Sequence, residues 1–153
     1  MKKIFLSSLF LLLFLSLTAC GNTKENIETN TAAKEKTSKI LIAYFSRTGN
    51  TKEIALKIQE KTNGELFEIQ PAEPYPENYK ETTDKAKQEL SSGYLPPLKT
   101  KINNLESYDI IFIGYPIWWG TIPGPVRTFL TENDFSGKIV IPFCTHGGSG
   151  IAS

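Results

Sequence analysis

The stretch ILIAYFSRTGNT, residues 40–51, decides how this chain is expected to fold. Its first six residues are continuously apolar and partly β-branched, which is typical of a central parallel strand covered on both faces. Beyond it, Thr51, Ile54, Ala55, Ile58 and Thr62 recur at helical spacing, and Gly64 is predicted to cap the helix. Residues 46–51 are therefore predicted to form a turn from a strand into a helix.

This turn offers hydrogen-bond donors to an anion. The first N–H groups of a helix have no intrahelical partner and lie at the positive end of the helix dipole. Glycine lets the backbone approach a ligand closely, and short polar side chains surround it here. We predict phosphate binding by Ser46, Arg47, Thr48, Gly49, Asn50 and Thr51. The alternative is an ordinary turn whose Asn and Thr residues only cap the helix.

The amino-terminal segment has the pattern of an export signal. Lys2 and Lys3 precede an apolar run over residues 4–17, which is too short to span a bilayer comfortably. Residues 17–20, LTAC, look like the lipobox of bacterial lipoproteins, which implies that Cys20 is lipidated after cleavage. The alternative is a plain secretory signal with an incidental cysteine. We expect a signal peptide over residues 1–19 and a lipid-anchored protein on the extracytoplasmic face of the cell membrane.

The rest of the chain divides into a tether and one domain. Residues 20–38 are too polar to bury a core and are expected to be flexible, whereas residues 39–153 suffice for one small domain. Loss of Lys2 and Lys3 changes the net charge from +1 to −1. A balance this even gives no sign of a nucleic-acid partner.

A second strand and a second helix follow the first pair. Residues 65–69 mix charged and apolar side chains, which favours a strand at a sheet edge. Asn78 and Glu81 have the spacing of a capping box, and the helix that they begin is expected to end at Gly93. One face of this helix is expected to comprise Tyr79, Thr83, Ala86 and Leu90.

A third strand, residues 110–113, is wholly apolar and leads into a loop that holds both tryptophans. The next helix is predicted to begin near Pro125 and to turn Val126, Phe129 and Leu130 inward. Because ligands of open α/β sheets bind above the carboxyl ends of strands, this loop is expected to face the same space as residues 46–51. Its candidate binding residues are Pro116, Ile117, Trp118, Trp119 and Gly120. Alternatively, one or both tryptophans only cover the sheet.

A fourth strand, residues 138–144, contains Pro142, where we expect a bulge or a loss of pairing on one side. It ends in a glycine-rich third loop with the candidate binding residues Thr145, His146, Gly147 and Gly148. Cys144 and His146 also suggest a nucleophilic pair or a metal site. Both are disfavoured, because no orienting group is apparent and a zinc site lacks enough ligands.

Together the three loops make residues 39–153 resemble the flavodoxin-like family of FMN-binding domains. The family's phosphate pattern, Ser/Thr-x-Thr-Gly-x-Thr, is present as Ser46, Thr48, Gly49 and Thr51. The resemblance implies a doubly wound α/β fold with FMN as cofactor, its phosphate in the first loop and its ring between the second and third loops. It also implies strand order 2-1-3-4-5, so the chain is expected to lack the fifth strand, and to fold poorly or associate.

The resemblance implies a redox protein without a catalytic acid or base. The leading hypothesis is an FMN electron-transfer protein, tethered to the membrane, with a redox protein or a membrane quinone as partner. His146 stands where electron-transfer flavodoxins usually have an aromatic residue, which is more like the family's quinone-reductase branch. An FMN-dependent NAD(P)H:quinone oxidoreductase is therefore one alternative, and a binding module that has lost its flavin is another.

Overall fold

The computed structural model describes residues 38–148. The chain divides into two units, residues 1–35 and 36–153, and every described residue belongs to the second. The predicted signal peptide, the lipidated Cys20 and all of the tether except Ser38 lie outside the described residues. The elements, in chain order, are β1 (Ile40–Tyr44), α1 (Asn50–Thr62), β2 (Glu65–Glu68), α2 (Tyr79–Ser92), a 3-10 turn (Leu105–Ser107), β3 (Ile110–Pro116), α3 (Gly124–Glu132) and β4 (Ile139–Thr145).

The four strands form one parallel sheet in the order β2-β1-β3-β4. Ile42 pairs with Leu66 on one side and with Phe112 on the other, and Phe112 pairs in turn with Ile141. The predicted α/β architecture and the order 2-1-3-4 are thereby confirmed, as is the position of β2 at an edge.

Helices cover both faces of the sheet, which explains why β1 is apolar throughout. Leu41, Ala43 and Phe45 point to the face that packs against α3, where Val126 and Phe129 are buried. Ile42 and Tyr44 point to the opposite face and pack with Ala55 of α1. A strand enclosed on both sides has no position at which a polar side chain reaches water.

Pro142 does not distort β4, contrary to the sequence prediction. The β3–β4 register runs unbroken from Ile139 to Thr145 and pairs Pro142 with Ile113. The N–H of Ile139 donates to the carbonyl of Asp109, so alternate residues from Ile139 onward direct their N–H groups towards β3. Pro142 is one of the intervening residues. Its missing N–H therefore faces away from β3, and no hydrogen bond between the two strands is lost.

Two helix details also differ from the prediction. Asn63, not Gly64, adopts the left-handed conformation after α1, with φ of 54°. Gly64 is required instead by close packing, because a Cβ there would lie 2.9 Å from Ile40 Cγ2. In α2, the buried residues are Thr82, Ala86 and Glu89. Of the predicted face, only Ala86 is buried, while Tyr79 is exposed.

The other helix boundaries agree with the sequence. Asn78 caps α2 by accepting a hydrogen bond from the N–H of Glu81, and Gly93 ends the helix in the left-handed conformation. Helix α3 begins at Gly124, next to the predicted Pro125. Among the described residues, no helix has the length and hydropathy needed to cross a bilayer.

Candidate functional site

The three predicted loops meet at one cavity of about 670 Å³ above the carboxyl ends of β1, β3 and β4. All the predicted site residues line this cavity except Ser46, Gly49 and Gly148. Those that line it are Arg47, Thr48, Asn50, Thr51, Pro116, Ile117, Trp118, Trp119, Gly120, Thr145, His146 and Gly147. The volume falls within the range of sites for small organic ligands and cofactors.

The amino terminus of α1 faces this space without a side-chain cap. Gly49 occupies the N-cap position with φ of 90°, and its carbonyl accepts the helix's first hydrogen bond, from Glu53, at 2.9 Å. No side chain of the described part of the chain accepts from the first-turn amides, so the capping alternative does not account for the loop. Such amides, at the positive end of the helix, are suited to an anion.

Ser46 adds a hydroxyl group that lacks a partner. Its Oγ is buried and makes no hydrogen bond to any described residue. The residue lines a second cavity of about 410 Å³ and is not among the residues that line the larger one. A buried hydroxyl without a partner is costly, and the first amides of α1 have no side-chain acceptor, so this loop has donors to offer an anion. The loop's chemistry thus fits a phosphate group.

The first and third loops are tied together by two hydroxyl groups. Thr51 Oγ1 and Thr145 Oγ1 are 2.9 Å apart, and Thr51 is only 1% exposed. This contact joins the first turn of α1 to the carboxyl end of β4. It holds the two loops in place before any ligand arrives.

Arg47 ties the first loop to the segment that precedes α2. Its guanidinium donates to the backbone carbonyls of Pro76 and Glu77, at 3.3 and 2.5 Å. Both bonds come from Nη2, so the charge stays at the edge of the cavity while the remaining guanidinium N–H groups are not used in these two bonds. Arg47 fixes the loop at least as much as it offers a bond to a ligand.

The second loop contains a tight turn that sets the directions of the two indoles. Trp118 and Thr121 exchange backbone hydrogen bonds of 3.1 and 3.0 Å across Trp119 and Gly120. Both central residues have positive φ, 52° and 75°, as a type I′ turn requires. For Trp119 this conformation is strained, and strain of this kind is frequent at binding sites.

The two tryptophans are held differently, although both line the cavity. Trp118 is half-buried and packs edge-on against Phe45 and Tyr75. This packing agrees with the alternative that a tryptophan of this loop covers the sheet. Trp119 is 52% exposed, and its Nε1 donates to the carbonyl of Thr83 at 3.0 Å. Lys87 lies 5.0 Å from the centre of the Trp119 ring. Trp118 is thus a fixed wall, and Trp119 lies at the cavity mouth against α2.

Helix α2 supplies a fourth wall that the sequence analysis missed. The residues concerned are Tyr79, Thr82, Thr83 and Ala86. The strand order alone indicates that α2 lies near the first loop. Because β1 lies between β2 and β3, the connection from β2 to β3 must cross β1 and therefore passes close to the loop after it.

The third loop places His146 and Cys144 in different surroundings. His146 Nδ1 accepts a hydrogen bond from the N–H of Gly148 at 3.1 Å, so the ring is oriented by its own loop. Cys144 is half-buried and lies opposite Tyr115 in the β3–β4 register. Burial, and then the nearby Cys144, raise the pKa of Tyr115. Within residues 38–148 no group of three or more metal-ligating side chains is assembled.

Comparisons with known proteins agree with this fold and site. The sequence profile of the flavodoxin family matches residues 39–153. A search of the curated proteins gives no match.

Several solved structures are similar to this chain. Candidate flavoproteins from Bacteroides eggerthii and Bacteroides uniformis share 40% and 41% identity with it, each with a TM-score of 0.68. The alignments cover 73% of this chain and 73% and 74% of theirs. A Lactobacillus acidophilus flavoprotein in complex with FMN is 30% identical, with a TM-score of 0.67, over 73% of this chain and 77% of its own. The chain therefore belongs to the flavodoxin family.

Proposed function

We propose that this protein binds FMN in the cavity between the three loops and α2, and that it serves as a redox protein. The observation that carries the proposal is the uncapped start of α1 at left-handed Gly49, whose neighbours Thr48, Asn50 and Thr51 line the cavity. An FMN-bound family member of similar fold supports the same cofactor.

The phosphate of FMN would be held at the first loop. The first-turn amides of α1, with the hydroxyls of Ser46, Thr48 and Thr51, provide donors without a lysine. This donor set suits a phosphate monoester, because hydrogen bonds to a charged oxygen are stronger than those to a neutral one.

The flavin ring would lie between the second and third loops. Trp118 offers an apolar surface, and the amides of His146 and Gly147 can hydrogen-bond the polar edge of the ring. Bound FMN supplies one- and two-electron transfer. The surrounding protein orients the ring and limits the solvation of negative charge beside Trp118.

Electron transfer at the membrane is the physiological role that we propose. Its support is the amino-terminal sequence, which has Lys2 and Lys3, an apolar run and Cys20 in the order of a lipoprotein signal. The tether would place the domain within reach of a membrane quinone or a redox protein. Outside the cytoplasmic membrane nicotinamide nucleotides should be scarce, which favours this role over that of an NAD(P)H:quinone oxidoreductase.

The first experiment measures FMN binding by the purified full chain. We expect a yellow protein with a flavin absorption spectrum after addition of FMN, and a colourless protein would contradict both redox functions and leave the flavin-free binding module. Reduced nicotinamide nucleotide with a quinone acceptor then separates the two redox functions, because only the reductase turns over.

A second experiment locates the phosphate. Combined Thr48→Ala and Thr51→Ala substitutions should weaken FMN binding by about tenfold or more, because each removes a hydrogen bond to a charged group. Riboflavin, which has no phosphate, should be affected much less. Thr131→Ala, on α3, is the control, since its hydroxyl only bonds the carbonyl of Arg127. Equal losses for both flavins would show that this loop does not hold the phosphate.

A further inference from the structure

The wall formed by Trp118 is fixed by two aromatic rings. Phe45 meets the indole edge-on, with ring centres 5.3 Å apart at 85°, and Tyr75 does so at 4.9 Å and 90°. Edge-to-face contacts of this kind are favourable and directional. Phe45 is anchored on the sheet, so the remaining freedom of Trp118 depends on Tyr75.

Tyr75 is itself held by a buried carboxylate. Its hydroxyl donates to Glu89 Oε2 at 2.5 Å, and Glu89 is only 5% exposed on the inner face of α2. Burial, and then the hydrogen bond to Glu89, hold the pKa of Tyr75 well above its ordinary value. The Tyr75 hydroxyl therefore keeps its proton and donates a hydrogen bond to Glu89.

The surroundings of Glu89 satisfy its side chain only in part. Its Oε1 is buried without a partner among the described residues, and so is the Nε of Arg127 on the first turn of α3. Glu89 Oε2 lies at the start of α3, 2.9 Å from where a Cβ on Gly124 would be. The positive end of that helix offsets part of the cost, but a carboxylate with one unbonded oxygen is still a poor core residue.

We infer that Glu89, acting through the Tyr75 hydroxyl, is a positioning residue for the Trp118 wall of the proposed FMN site. The inference rests on the proposed function. Glu89 is one helical turn from Ala86, which lines the cavity, so the same helix shapes one wall directly and fixes another through Tyr75.

The test compares variants that break or keep the contact. Tyr75→Phe and Glu89→Leu should each weaken both FMN and riboflavin about five- to tenfold, because Trp118 faces the ring and not the phosphate. Glu89→Gln should bind like the wild type, since its amide oxygen still accepts from the hydroxyl. Tyr108→Phe is the matched control, because its hydroxyl also donates to a carboxylate, that of Glu65, at the end of β3 opposite to Trp118. Equal binding by Tyr75→Phe and the wild type would overturn the inference.

A Trp118→Leu background separates positioning from general destabilisation. If Tyr75 acts through the indole, Tyr75→Phe should cause no further loss of flavin affinity in that background. An equal loss in both backgrounds would contradict the inference.

Near-ultraviolet circular dichroism of the flavin-free protein gives a readout that does not depend on FMN. Tyr75→Phe should alter the tryptophan signal, and Tyr108→Phe should not. If the wild type binds neither flavin but Tyr75→Phe still changes the tryptophan signal, the proposed function is refuted. The same result would confirm that Tyr75 fixes Trp118. An unchanged signal would refute the inference itself.

Discussion

Replacement of Gly114 by alanine should loosen the sheet where it supports the third loop. Gly114 is buried in β3 and pairs with Phe143 of β4 in the sheet register. A Cβ at position 114 would lie 2.1 Å from Phe143 Cζ and 2.5 Å from Cε2. Carbon atoms in favourable contact are about 3.5–4.0 Å apart, so the ring must move by about 1.5 Å.

The expected cost is moderate, because Phe143 is only half-buried and can give way. Overpacking of this kind typically costs about 1–3 kcal/mol, while alanine recovers about 0.5–1 kcal/mol relative to glycine within a strand. We therefore expect Gly114→Ala to lower the free energy of unfolding by about 1–2 kcal/mol. FMN binding should weaken as well, since Phe143 is two residues from Thr145.

Urea unfolding followed by tryptophan fluorescence measures this cost. The control is Gly147→Ala, because a Cβ there would meet no atom within 4 Å, and it should leave the free energy of unfolding nearly unchanged. In a double-mutant cycle with Phe143→Ala, the penalty at position 114 should largely disappear. A penalty that persists without the phenyl ring would refute the steric explanation.

Three further predictions concern single hydrogen bonds. The hydroxyls of Thr51 and Thr145 bond each other, so a double-mutant cycle of Thr51→Val and Thr145→Val should give a coupling energy of about 0.5–1.5 kcal/mol in urea unfolding. Additive effects would argue against that bond. Asn78→Ala should cost about 1 kcal/mol by the same assay through loss of the α2 cap, whereas a neutral effect would mean that the cap is dispensable.

Burial, and then a hydrogen bond to Glu65, raise the pKa of Tyr108 from 10.0 to about 12. The stability that this tyrosine contributes is therefore full below pH 10 and is lost as the pH rises through 12. Tyr108→Phe should therefore show a shallower loss of stability over that range in thermal melts, and an unchanged slope would contradict this assignment.

The fold was largely predictable because the informative patterns were long. The apolar runs of β1 and β3 contain no position suited to water, which indicated central strands, and the charges of residues 65–69 indicated an edge. The geometry at Pro142 was not predictable. Whether its missing N–H faces a neighbour depends on the register with β3, and no local pattern encodes register phase.

The candidate site was predictable where each loop directly follows a strand. The wall from α2 was not, because it is a tertiary relation between a helix and loops distant in sequence. The turn at Trp119 was also missed, since a bulky residue is uncommon at positive φ and its hydrogen bond to Thr83 forms only once α2 is in place. Similarly, Gly64 was assigned to a cap because its close approach to Ile40 is not visible in the sequence.

The ties between loops bear on how this site would bind a ligand. The Thr51–Thr145 contact, the bonds from Arg47 and the bond from Trp119 to Thr83 each join one loop to a neighbouring element. A ligand would therefore have little loop ordering to offset, which favours affinity. The start of α1, by contrast, has no side-chain cap, so the anion end of the site still offers amide donors to a ligand. Most of the binding energy should consequently come from the phosphate, while the tied loops and the Tyr75–Glu89 pair decide where the ring lies.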